Sequence, residues 1–317
     1  MSSSSDMDMP HMDLSRQPPV CSPGRPPADT TRTLTCMTRD ELLDIARRIN
    51  ARGERHVEIR DDIGERELLK GIQHAMHPRC GADQLCWAET LRSNATHAFR
   101  PRMPRTWLLD RYEWLSNWDI IETLTQYGRA YPFYYLIGVF SADFASLITG
   151  DKCMEEAACS APLSKPGLYG MVVNTDTSRG PGIHWVSLLV GSDPEKSAWY
   201  GFTYYDSVGN PMIPGVARYI EEARRRNPWM ADAPLRVLMD RRRGRAHQKR
   251  DTECGMFCLI HHHHAIECYG DADGTTAPED FSTLDLDDEW ANMARRVFFS
   301  LPTAHDGGDA PDAGHKS

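Results

Sequence analysis

Gln248-Lys-Arg-Asp-Thr-Glu-Cys254-Gly255 places an amide side chain six residues before a cysteine, and the residues after it open a predicted helix over 254–267. Upstream, Gly182-Ile-His184-Trp185 stands in a β-like run and Tyr205-Asp206-Ser207 ends another. Imidazole, carboxylate, amide and thiol, in that order along the chain, are the side chains that acyl transfer through a cysteine requires. A thiol at its free pKa of ~8.5 is only a few per cent thiolate at neutral pH. Two features here lower that value. An imidazolium at His184 stabilises the thiolate. A helix N-terminus at Cys254, begun by Asp251 or Thr252 as N-cap, adds partial positive charge. Asp206 is then the group that fixes the tautomer of His184. The Gln248 amide and the backbone N–H of Cys254 become the donors to an oxyanion.

Around these residues the sequence alternates strand-like and helix-like runs. Strands are predicted over 134–140, 168–174, 183–190, 199–206 and 235–240 from their aromatic and β-branched content. The run 183–190 is apolar on both faces, as in a central strand covered on both sides. Helices are predicted over 213–226, 254–267 and 287–299. Before this α+β part, Thr38-Arg-Asp-Glu41 forms a capping box ahead of an apolar stripe, Leu42, Leu43, Ile45, Ala46 and Ile49. Further helices are expected over 65–76 and after Ser116. The division that results is a disordered tail over 1–34, a helical lobe over 35–130, an α+β catalytic core over 131–301 and a loose tail over 302–317.

His184-Trp185, Asp206-Ser207 and Gln248-x₅-Cys254-Gly255 together resemble the motifs of the Ulp/adenain-type cysteine proteases. Gly182-Ile-His184-Trp185-Val-Ser-Leu-Leu and Asp-Thr-Glu-Cys254-Gly-Met-Phe are similar to the versions found in large DNA viruses. Trp114-Leu115-Ser116-Asn117 resembles the family's Trp-Leu-Asn-Asp signature, departing from it at Ser116 and at Asn117. Recognisable motifs run from about Trp107 to Ile266. The resemblance implies a papain-like/adenain-like fold, with a central mixed sheet flanked by helices. It implies a His184–Asp206–Cys254 triad with Gln248 at the oxyanion hole, and no cofactor or metal. It implies that Trp114 and Trp185 form a narrow tunnel over a Gly-Gly backbone. The implied activity is peptide cleavage after Gly-Gly or small residues, on viral structural precursors or on conjugates of SUMO and other ubiquitin-like modifiers. An inactive member that only binds such modifiers is the reading from another class.

Other readings of the same residues stay open. Cys80-Gly-Ala-Asp-Gln-Leu-Cys86-Trp87 echoes a papain-like nucleophile motif, interrupted by three residues, with core packing of Cys86 and Trp87 as the plainer alternative. Cys254, Cys258, His261 and His262 lie at helical spacing, yet four ligands on one helix span ~12 Å, too far for bonds of ~2.0–2.3 Å to one ion. The run His261–His264 then reads as a polar helix end beneath the sheet. Arg241-Arg-Arg243, Arg245, Lys249 and Arg250 make a basic loop before Cys254, either solvated or docking an acidic surface or nucleic acid.

Composition sets the outer bounds. The chain has 317 residues, 40% hydrophobic and 26% charged, with a net charge of -9 that argues against whole-protein attraction to nucleic acid. No apolar run approaches the ~18 residues of a membrane span, and the N-terminus lacks a signal-peptide pattern. Nine scattered cysteines suggest reduced thiols, hence an intracellular, cytoplasmic setting, which the viral resemblance extends to packaging in virus particles.

Overall fold

The computed structural model describes residues 21–25, 35–53, 55–144, 163, 165–271 and 276–302. The tails expected over 1–34 and 302–317 fall almost wholly outside these residues. The chain divides into two compact units, residues 17–105 with 296–313 and residues 106–295.

The first unit is helical. Its helices are α1 (Arg39–Arg52), α2 (Glu65–Cys80) and α3 (Gln84–Leu91). The reciprocal Thr38–Glu41 capping box forms as the sequence predicts, and Gly53 ends α1 at φ 71°, a left-handed conformation that favours glycine. Leu42, Ile45, Leu68, Ile72, Trp87 and Ala88 fill the core between the helices. Here the expectation of reduced thiols fails. Cys21 is bonded to Cys36, and Cys80 to Cys86. The turn from α2 into α3 brings the second pair of Cα atoms to 5.7 Å, and spacing along the chain does not reveal that fold-back. The pairing also removes Cys80 and Cys86 as rival nucleophiles.

The second unit holds α4 (Asn117–Ala130) and a five-stranded mixed sheet in sequence order. The strands are β1 (Tyr134–Phe140), β2 (Leu168–Asn174), β3 (Trp185–Gly191), β4 (Gly201–Tyr205) and β5 (Leu235–Val237). β1–β2 and β4–β5 are parallel, and β2–β3–β4 is an antiparallel meander. Every residue of β3 is buried, as its two-sided apolar pattern requires. Val186, Leu188 and Val190 meet Phe202, Tyr204 and the apolar stripe Val216, Tyr219, Ile220 and Ala223 of α5 (Pro214–Arg226). On the other face, Ser187 and Tyr205 meet His261 of α6 (Cys254–Gly270). α7 (Asp288–Phe298) follows.

The histidine run is not a polar helix end. His261 to His264 lie in the middle of α6, all buried. His261 Nδ1 is 2.9 Å from Ser187 Oγ, His262 Nδ1 is 2.7 Å from Tyr134 Oη, His263 abuts the Tyr127 ring and His264 contacts Cys268. Four consecutive helical residues point to four sides, so no single ion gathers them. Burial pushes His261 well below its usual value and His262 down to about 3, which keeps both neutral packing groups. Among the described residues, no group of three or more His, Cys, Asp or Glu side chains is placed to hold a metal ion, and no helix is long and apolar enough to cross a membrane.

Candidate active site

Antiparallel pairing of β3 with β4 sets Ser187 opposite Tyr205, so the start of one strand and the end of the other share a sheet edge. His184 immediately precedes β3 and Asp206 immediately follows β4. Their side chains therefore meet, with His184 Nε2 2.9 Å from Asp206 Oδ1. The turn that delivers His184 is tied to β2. Asn174 Oδ1 accepts the backbone N–H groups of Asp176 (2.9 Å) and Ile183 (3.1 Å). Gly182 turns there at φ +89°, where a Cβ would stand 3.1 Å from Asn174 Nδ2. The site therefore needs glycine two residues before its histidine.

α6 begins at Cys254 and packs on β3, which delivers the thiol to the same edge. Cys254 acts on the His184 ring as well as Asp206 does. With Nε2 engaged by the carboxylate, Nδ1 is the ring nitrogen left for sulfur. Burial alone would lower the His184 pKa. The hydrogen bonds to Asp206 and Cys254, together with the charges of both partners, outweigh burial and raise it to about 10. The imidazole is thus held as imidazolium at neutral pH, near Cys254, which is 1% exposed.

Gln248 completes the arrangement. Its backbone N–H donates to Ser207 O (2.9 Å), and Ser207 Oγ donates to its Oε1 (2.6 Å). With Oε1 held, Nε2 points the other way, buried and without a hydrogen-bond partner among the described residues. Leaving a buried amide donor unpaired costs about 1–3 kcal/mol, so such a group marks a place where a ligand atom is expected. Ser207, which orients this amide, was not read from the sequence as more than the neighbour of Asp206. A pocket of about 680 Å³ opens beside these groups, lined by Tyr112, Ile183, His184, Val208 and residues 248–252.

The helix start differs from the sequence reading. Glu253, not Asp251 or Thr252, occupies the N-cap position, and its side chain makes no capping bond. It is fully buried against Arg295, 3.0 Å away. The two tryptophans lie in different settings. Trp185 is buried and its Nε1 donates to Leu115 O (3.1 Å), whereas Trp114 is 41% exposed. Gly255 sits against both walls, since a Cβ there would stand 2.9 Å from Leu115 Cβ and 3.4 Å from Trp185 Cδ1. The basic loop is anchored on the protein itself. Arg241 donates to Asn210, Arg243 pairs with Asp240, and Arg250 lies against Tyr112.

The His184 ion pairs make a pH-dependent contribution to stability. The folded pKa of about 10 exceeds the ordinary 6.5, so the folded state binds more protons between these values. The contribution is fully present below pH 6.5 and is lost as pH rises through about 10. Thermal denaturation across that window should show a larger fall in melting temperature for the natural protein than for His184→Gln. Parallel curves for the two proteins would contradict the assignment.

No protein-family model matches the chain. A cysteine protease of African swine fever virus, named SUMO-1 cysteine protease in other isolates, is 27% identical over 161 residues. That match covers 46% of this chain and 56% of the viral protein, so the chain spans little more than half the length of this relative. A mimivirus protein named as a thiol protease is 23% identical over 270 residues, covering 75% of this chain and 81% of that protein. The crystal structure of the African swine fever virus protease superimposes with a TM-score of 0.53 at 17% identity, over 89% of this chain and 98% of that one. The chain has the fold of that protease. The α+β architecture with a mixed sheet between helices agrees with the expectation drawn from the motifs, as does the likeness to proteases of large DNA viruses.

Proposed function

We propose that this protein is a thiol endopeptidase of the viral Ulp/adenain type. Cys254 is the nucleophile, His184 the general base and acid, Asp206 the group that orients His184, and Gln248 the oxyanion donor. The observation that carries this reading is the unpartnered, buried Nε2 of Gln248, on the same pocket as a His184 bonded to Asp206 and raised by Asp206 and Cys254. His184 carries its proton in the resting pair with Cys254, and the sulfur electron pair forms a bond to the substrate carbonyl carbon. The carbonyl oxygen becomes an oxyanion that accepts hydrogen bonds from Gln248 Nε2 and the Cys254 backbone N–H. As the C–N bond breaks, the proton on His184 passes to the leaving amine. Water, deprotonated by the same imidazole, then splits the thioester and regenerates the thiol.

Trp114 and Trp185 are proposed as the wall over the residues before the cut. Small residues, Gly-Gly above all, pass such a wall because side chains cannot. The virus-like motifs favour structural precursor proteins as substrates. The SUMO-1 protease name borne by relatives favours the second reading, removal of ubiquitin-like modifiers. A Gly-Gly-ended vinyl-sulfone probe followed by peptide mapping tests the chemistry. In the folded protein the adduct is expected on Cys254 and not on Cys258 or Cys268, whose thiols burial pushes up. No adduct, or labelling only after denaturation, would leave the binding-module reading in its place. Cleavage of a Gly-Gly-containing precursor against a ubiquitin-like conjugate then separates the two substrate classes.

A further inference from the structure

Asp288, Asn292 and Arg295 follow one another at i, i+4 and i+7 on α7, so they form one stripe of that helix. All three are buried, at 5%, 7% and 3% exposure. Burying such groups is unfavourable unless each is bonded, so their partners show what the stripe acts on. The Asp288 carboxylate accepts the backbone N–H groups of Lys249 (3.0 Å) and Arg250 (3.2 Å). Asn292 Nδ2 donates to Glu253 Oε1 (2.9 Å) and to Arg111 O (2.6 Å). Arg295 Nη2 donates to Glu253 Oε2 (3.0 Å) and to Glu113 O (2.7 Å), and its guanidinium lies 4.4 Å over the Trp107 ring. Each partner belongs to one of two segments. One joins Gln248 to Cys254, and the other leads into Trp114 and Leu115.

Glu253 gives the arrangement its chemical meaning. A carboxylate at an N-cap ordinarily accepts N–H groups of the first helical turn and neutralises its partial positive charge. Glu253 makes no such bond, because Arg295 and Asn292 hold both of its oxygens. The first-turn N–H groups of α6 are left for another acceptor.

We propose that the Asp288–Asn292–Arg295 stripe is a positioning device for the oxyanion site. It draws Glu253 away from the helix N-terminus and fixes the 248–254 segment, so that the Gln248 amide and the Cys254 N–H converge on one point. The proposal rests on the thiol-hydrolase reading above.

The test uses the full chain carrying Glu253→Gln together with Arg295→Met, which removes both charges and leaves neither buried alone. The readouts are the thermal transition, kcat and KM on a fluorogenic peptide amide ending in Gly-Gly, and the pH dependence of Cys254 alkylation by iodoacetamide. A misplacement on the scale of 1 Å is expected to lower kcat about 10²-fold. KM should change little, and the alkylation profile should stay that of the natural protein, because His184, Asp206 and the thiol are untouched. Arg295→Lys keeps the charge but not the planar fork, and should fall between the two. Natural kcat in the folded double variant would overturn the proposal. So would a loss of kcat matched by loss of alkylation, or failure of both variants to fold, since the stripe would then be structural alone. If the unaltered protein neither turns over the peptide nor alkylates at Cys254, the thiol reading itself fails and this one falls with it.

Discussion

Cys254→Ala is expected to abolish turnover while leaving the fold in place. The proposed route passes through a thioester, and alanine offers no atom that can form one. Removing the nucleophile of a hydrolase that works through a covalent intermediate lowers kcat by about 10⁶-fold, leaving only what binding and the oxyanion donors supply. The structural change is small by comparison. Cys254 is 1% exposed at the start of α6, and the substitution deletes one buried sulfur without introducing a polar group. A loss within the ~0.5–3 kcal/mol usual for single substitutions is expected. The same change removes one of the two partners that raise His184, so the imidazole should titrate below the about 10 it has with both. Turnover of a Gly-Gly peptide amide, the thermal transition and the His184 ring titration by NMR check the three statements separately. Full activity in a folded Cys254→Ala protein would remove the mechanism. An unmoved His184 titration would remove only the ion pair.

The parts of the fold legible in the sequence are those set by local pattern. β1 and β2 occupy the residues that their aromatic and β-branched runs mark, and the two-sided apolar run 183–190 becomes the central, fully buried β3. Capping boxes at Thr38–Glu41 and Ser116–Asp119 open α1 and α4. Features that depend on a distant segment were not legible. Asp251 or Thr252 reads as the cap of α6, because the sequence does not show that Glu253 takes the N-cap position with Arg295, 42 residues on, holding its carboxylate. The histidines of α6 read as polar because nothing nearby in the chain shows that the helix is covered on every side. Cys80 and Cys86 echoed a nucleophile motif because the sequence does not show α3 turning back on α2. One signal was present but unread: polar residues 288, 292 and 295 at helical spacing among Trp290, Ala291 and Ala294. Buried polar residues on an otherwise apolar helix face call for partners, and here those partners lie in the segments that lead into Cys254 and Trp114.

Gln248→Ala is expected to lower kcat about 10²–10³-fold with KM little changed, the signature of a donor used only in the transition state. The amide has two ends with different duties. Oε1 is bound to Ser207 Oγ at 2.6 Å, which aims Nε2 at a buried point where no protein acceptor stands. In the free protein, therefore, Nε2 has no acceptor among the described residues, and its hydrogen bond is expected to form to the tetrahedral oxyanion. As negative charge grows on the substrate oxygen, that donor gains a charge-assisted hydrogen bond in a region sheltered from water. Alanine removes the gain and also removes an unpaired buried donor, so the folded protein should lose less stability than a buried glutamine ordinarily would. Two further substitutions sharpen the reading. Gln248→Glu replaces the donor with a carboxylate that repels the oxyanion, and should be at least as slow as alanine despite its similar shape. Ser207→Ala leaves the amide in place but frees it to rotate, and should fall between alanine and the natural protein. Steady-state kinetics on the Gly-Gly peptide amide, with Cys254 alkylation confirming an intact thiol in each variant, decide the matter. A Gln248→Ala protein with the natural kcat would assign the oxyanion to other donors and leave the empty end of this amide without a role in catalysis.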